Sequence, residues 1–92
     1  MRYRGPAAES WAAVALEPFT AVFHRRSGLT HLLVEPAPQL LDLLAGRVLT
    51  LADVRAALAA AYDVPDLSDE GLRARLDELV ETGLVEAVPV AA

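Results

Sequence analysis

His24, Ser27 and His31 are the residues of this chain whose types and spacing come nearest to chemistry. Two imidazoles facing each other could hold a metal ion. A usable site wants three or four ligands, however, and no third stands near them in sequence. The plainer reading is a pair of half-exposed hairpin residues. Ser27 beside a histidine has the parts of a nucleophile and its base, yet no acid is placed to orient the imidazole and no oxyanion donors are identifiable. A serine before a glycine serves turn geometry. Asp69, Glu70, Asp77, Glu78 and Glu81 read as a solvated helix face, with Arg73 and Asp77 as an i,i+4 pair. Five scattered glycines make no phosphate-cradling loop. The absence of cysteine excludes disulfides, thiolate zinc sites and cysteine nucleophiles. The residues therefore predict no catalytic group, no metal and no cofactor, and they point to recognition.

The elements that would hold these residues begin with a hairpin. Phe19 to Arg25 alternates with period two and is rich in aromatic and β-branched residues, as a strand should be. Ser27-Gly28 suits a tight turn because glycine accepts positive φ. A turn centred there pairs Arg25 with Thr30, His24 with His31, Phe23 with Leu32 and Val22 with Leu33. The more apolar face, Phe19, Ala21, Phe23, Leu32 and Val34, is then the expected core side. Leu29 to Val34 is β-prone and uncharged, without the Lys or Pro that blunts an edge, so its backbone is open to an added strand. Upstream, Trp11 to Leu16 reads equally as a strand or a short helix, and as a strand it could cover that edge. Residues 1–10 are expected to be loosely held.

Three helices follow. Pro38 suits the first position of one that buries Leu40, Leu41 and Leu44 and stops at Gly46. Thr50 and Asp53 form a capping-box-like pair for a second, with Leu51, Val54, Leu58 and Ala61 as its stripe. Asp63 to Asp66 reads as a loop. Leu72, Leu76, Leu79 and Val80 repeat at three and four in the third, which starts near Ser68 or Asp69 and closes at Gly83. Leu84 to Val90 can add a last short strand.

Ninety-two residues, 54% of them hydrophobic, are enough for one small packed domain, residues 1–92. The net charge of −5 is uneven: residues 1–31 hold four Arg against two acids, and residues 32–92 hold four Arg against eleven. An acidic helical half repels phosphate, which makes nucleic acid a poor partner and a basic peptide a better one. No apolar run approaches the roughly 20 residues of a membrane span, and nothing at the start reads as a signal peptide, so a cytoplasmic protein is expected.

The order of hairpin, proline-started helix, capped Leu-rich helix and LxxLxxxGLV resembles the PqqD family, whose domains are also called RiPP recognition elements. The matching pieces are THLLVEPAPQLLDLLAG, TLADVRAALAAAY and LRARLDELVETGLVEA, within about residues 19–87. The Ser27-Gly28-Leu29-Thr30-His31 run, with Trp11 upstream, is similar to the PqqD-like protein of the HPr-rel-A system, which occurs beside a kinase related to HPr kinase. The resemblance implies a small α+β, winged-helix-like fold: an N-terminal antiparallel hairpin or three-stranded sheet followed by a three-helix bundle. It also implies a peptide-binding role without catalysis, in which a leader peptide adds as a strand and lies against the third helix. Carried over, the peptide-binding residues are Thr30, His31, Leu32, Leu33 and Val34 with Leu72, Arg73, Arg75, Leu76 and Leu79. Val34 and Glu35 stand where the family often has Asn at the strand's end. The implied partner is a peptide or protein, an HPr-kinase-related protein among the candidates. The alternatives are a winged-helix DNA-binding regulator, and a structural subunit or homodimer paired through its sheet edge. The regulator fits less well, because the third helix is acidic and no wing is expected beyond Leu84.

Overall fold

Each helix forms where apolar spacing and end signals agree. The computed structural model describes residues 1–62 and 68–89. Helix α1, Ala37–Leu44, starts after Pro36 with Pro38 as its second residue, and it buries Ala37, Leu40, Leu41 and Leu44. Helix α2, Leu51–Ala61, begins on a complete capping box. Thr50 Oγ1 accepts from the Asp53 N–H at 3.1 Å, and an Asp53 carboxylate oxygen accepts from the Thr50 N–H at 3.3 Å. Of its expected stripe, Val54 and Leu58 are buried, Leu51 is half-buried and Ala61 is exposed. Helix α3, Asp69–Glu81, is capped by Ser68 Oγ, which accepts from the Gly71 N–H at 3.0 Å. Its Leu72, Leu76 and Leu79 are buried. The loop expected at Asp63 to Asp66 lies outside the described residues.

Two antiparallel three-stranded sheets accompany the helices. One is a meander of β2 (Trp11–Leu16), β3 (Phe19–His24) and β4 (Leu29–Leu33). The other has β1 (Arg2–Arg4) at its centre, between β5 (Val48–Thr50) and β6 (Glu86–Val88). This makes a small α+β fold with three helices.

Strand β1 corrects the expectation that residues 1–10 are loosely held. Tyr3 pairs with Leu49 on one side and Ala87 on the other, and is 2% exposed. The Gly5 N–H donates to the Arg47 carbonyl at 3.0 Å, and Pro6 O accepts from the Gly46 N–H at 3.2 Å. A short 3-10 turn, Ala8–Ser10, then leads into β2. Residues 2–6 are ordered by partners forty or more residues away, so their local sequence carries little sign of it.

The hairpin differs in register and in facing. A turn on Ser27-Gly28 alone would pair His24 with His31. The observed loop is Arg25 to Gly28, and His24 pairs with Leu29, Phe23 with Thr30 and Val22 with His31. The longer loop is held by Gly28, at φ 73°, whose N–H donates to the His24 carbonyl at 2.8 Å, and by Ser27 Oγ, which accepts from the Leu29 N–H at 3.2 Å. The register moves by two residues, so each residue keeps its face. The face turned to the core is nonetheless the other one. Val22 and Leu33 are buried there, with Trp11 packed beside them. Phe19, Phe23, Leu32 and Val34 are exposed. Only three residues link β4 to α1, so the face carrying Leu33 must turn toward the helix that begins at Ala37.

This facing sets an expected result. Phe23→Ser should cost about 1 kcal/mol or less, the range of strand propensity on an exposed position. Leu33→Ala, on the inner face, should cost about 2–5 kcal/mol. Urea titrations of the two variants measure this, and the reverse order would contradict the facing.

Candidate peptide-binding edge

Strand β4 has an open side. It is an edge of the meander, because β2 pairs with β3 and no strand among the described residues pairs with the far side of β4. The direction of its backbone groups follows from one bond. The Arg25 N–H donates to the Ser10 carbonyl at 2.9 Å, on the β2 side of β3. Backbone groups alternate sides along an antiparallel strand, so His24, Val22 and Thr20 turn theirs toward β4. Their partners Leu29, His31 and Leu33 are used in that ladder. Thr30 and Leu32 are left with N–H and C=O facing outward. The Val34 carbonyl is already taken by the Ala37 N–H at 2.9 Å. The open edge is therefore short, centred on Thr30 and Leu32.

Beside this edge lies a groove of about 220 Å³. Leu33 and Ala37 form part of its floor with Leu79, and Arg75, Glu78 and Thr82 of the α3 region stand along its wall. Arg75 is held by Glu78 at 3.3 Å, a partly exposed i,i+3 pair of modest strength. The Thr82 hydroxyl donates to the Leu79 carbonyl at 2.6 Å and accepts from the Leu84 N–H at 3.2 Å, which fixes the helix end.

The structure sorts the residues expected on sequence grounds. Leu32, Leu33 and Val34 meet Arg75 and Leu79 around the groove. Thr30 contributes backbone to the edge. His31 turns its imidazole to the inner face, where Nε2 is buried and has no hydrogen-bond partner among the described residues. Leu72 and Leu76 are at most 1% exposed and serve the core. Arg73 stands on another side of α3, near Tyr3 and Asp77. Glu78 and Thr82 were missed; positions three and four beyond Arg75 and one turn beyond Leu79 share its helix face, a signal the sequence does contain.

The other residues of chemical interest gather at the β3–β4 hairpin. Ser27 Oγ lies 3.2 Å from His24 Nδ1. His24 and His31 share the inner face but are not opposite one another. Among the described residues, no group of three or more His, Asp or Glu is placed to hold a metal ion. No described helix is long and apolar enough to cross a membrane.

No family model matches this sequence, and no curated protein does. A solved structure does match in fold. It is that of TbiB1 in complex with the TbiA(beta) leader peptide. The two chains align with a TM-score of 0.59 over 92% of this chain and 99% of TbiB1, at 18% identity. This chain therefore shares the fold of TbiB1.

Proposed function

We propose that this chain is a non-catalytic recognition module of the PqqD type. An extended peptide adds to β4 and lies against α3, and is thereby presented to a modifying enzyme. The observation that carries the reading is the open Thr30–Leu32 edge beside the Leu33–Leu79 groove, in a fold similar to that of a protein solved with a leader peptide. Main-chain bonds give such binding its strength, and pockets beside the edge give it selectivity. An HPr-kinase-related protein is the enzyme that the SGLTH resemblance favours.

One observation supports a protein partner in addition to the peptide. The outer face of the meander exposes Val14, Leu16, Phe19, Phe23 and Leu32, with Leu32 62% and Val14 61% accessible. Contiguous apolar surface of this kind marks interaction sites. It lies on the face of the sheet opposite Leu33 and meets the groove at Leu32. DNA binding gains nothing comparable: α3 carries Arg73 and Arg75 against five acids.

Fluorescently labelled candidate leader peptides and a labelled DNA duplex, titrated at two salt concentrations, test the reading by anisotropy. Peptide binding with little salt dependence is the expected result. Salt-sensitive DNA binding without any peptide response would overturn it. A label on the peptide is needed because Trp11 lies on β2, with β3 between it and the open edge.

A further inference from the structure

A second cleft, of about 520 Å³, lies between the β3–β4 loop and the end of α3. Thr82 lines both spaces. Arg4, Ser10, His24, Arg26 and Ser27 line the cleft, with Glu86 opposite. A strand added along Thr30 and Leu32 that continues past Leu29 runs toward the β3–β4 loop, whose Arg26 and Ser27 line the cleft.

The charges and donors of this cleft define what fits. Arg4 is partly compensated by Glu86 at 3.2 Å. Among the described residues, Arg26 has no acidic partner, so the cleft carries one uncompensated guanidinium. The hydroxyls of Ser10 and Thr82 are committed to the backbone carbonyls of Ala7 and Leu79. Ser27 Oγ accepts from the Leu29 N–H at 3.2 Å, and both the His24 carbonyl, at 3.5 Å, and His24 Nδ1, at 3.2 Å, lie within its reach. One guanidinium fork suits a single carboxylate, whose two oxygens accept bidentate pairing. A doubly charged phosphate would exceed the available compensation.

We propose that this cleft is a specificity subsite of the groove, taking the carboxylate of an Asp or Glu side chain in the bound peptide. The inference rests on the peptide-groove reading. It places a basic contact in an otherwise acidic chain, at the loop that carries the SGLTH run.

The test uses two panels of fluorescein-labelled twelve-residue peptides of alternating Val and Thr. One Glu is moved along the first panel position by position, and Gln replaces it in the second. A separate arm titrates acetate, with chloride as the ionic-strength control, and follows the amide shifts of residues 25–29. The expected result is one Glu position that binds about tenfold tighter than its Gln match, the size of one charge-assisted hydrogen bond. Arg26→Ala should erase this preference and Arg26→Lys should keep part of it. Arg26 is exposed in a loop, so neither variant threatens folding. Equal binding of the two panels, with loop amides unmoved by acetate, overturns the subsite and leaves the groove standing. Acetate shifts that vanish in Arg26→Ala, with neither panel bound, overturn the groove reading and the peptide subsite with it, leaving an anion site alone.

Discussion

Leu32→Pro is expected to weaken capture of an extended peptide on the order of 10- to 100-fold while the domain stays folded. The two halves of this expectation come from the same geometry. The Leu32 N–H turns outward, so proline at this position removes no bond between β3 and β4. Proline is tolerated on edge strands for this reason. The side chain is already 62% accessible, so little packing is lost. The incoming strand suffers more. Its carbonyl loses a donor and is covered by the pyrrolidine ring, which leaves it without water or protein as partner. An unsatisfied group of this kind costs about 1–3 kcal/mol. Circular dichroism and a urea midpoint near that of the unaltered protein establish folding. Unchanged affinity in a folded Leu32→Pro variant would rule out strand addition at β4. His31→Pro is a useful contrast, because its N–H belongs to the internal ladder and the same substitution there should destabilise the hairpin itself.

How much of this was legible depends on how local each signal is. The helices were readable because their stripes, caps and stops lie within a few residues: Thr50 with Asp53, Ser68 before Asp69, Gly83 at φ 83° after α3. The hairpin was readable as a hairpin but not in register. Ser27-Gly28 looks like the whole turn, whereas Ser27 also binds the Leu29 N–H and draws Arg25 and Arg26 into a four-residue loop. The core face was misread because apolar content alone chose it. Its outer side is the more apolar one, with Phe19 and Phe23, and the sequence says nothing of which side the helices cover. The outward direction of the Thr30 and Leu32 backbone does not depend on that choice, since backbone direction alternates independently of which face is buried. On α3, periodicity marked Leu72 and Leu76 as apolar without distinguishing core from groove. That distinction depends on where β4 crosses the helix, which is a tertiary fact.

Tyr3→Ala should destabilise the protein by about 3–5 kcal/mol, a large part of the roughly 5–15 kcal/mol that holds a small domain together. Arg-Tyr-Arg has charged residues on both sides of one aromatic, and nothing local makes it a strand. Its position does: β1 is the middle of the second sheet, and without it β5 and β6 have no partner. Tyr3 is the residue by which this strand enters the core. Truncation would leave an aromatic-sized cavity and unpair the strand's anchoring to residues 48–50 and 86–88. Gly5→Ala tests the same anchoring without touching the core side chain, because a Cβ there would fall onto the Leu44 carbonyl and its Cβ. The hydroxyl adds a pH signature. Burial, then the nearby Asp77 carboxylate, raises the Tyr3 pKa above its usual value near 10. A raised value means the unfolded chain releases this proton first as pH climbs. Stability is therefore full below about pH 10 and falls above it, toward the folded-state pKa. Tyr3→Phe should flatten that alkaline decline and leave neutral-pH packing nearly intact. Urea unfolding at pH 7 and pH 10.5 separates the contributions. A loss under about 1 kcal/mol for Tyr3→Ala, together with unprotected amides at Arg2 to Arg4 in hydrogen exchange, would show that the strand is dispensable to the fold.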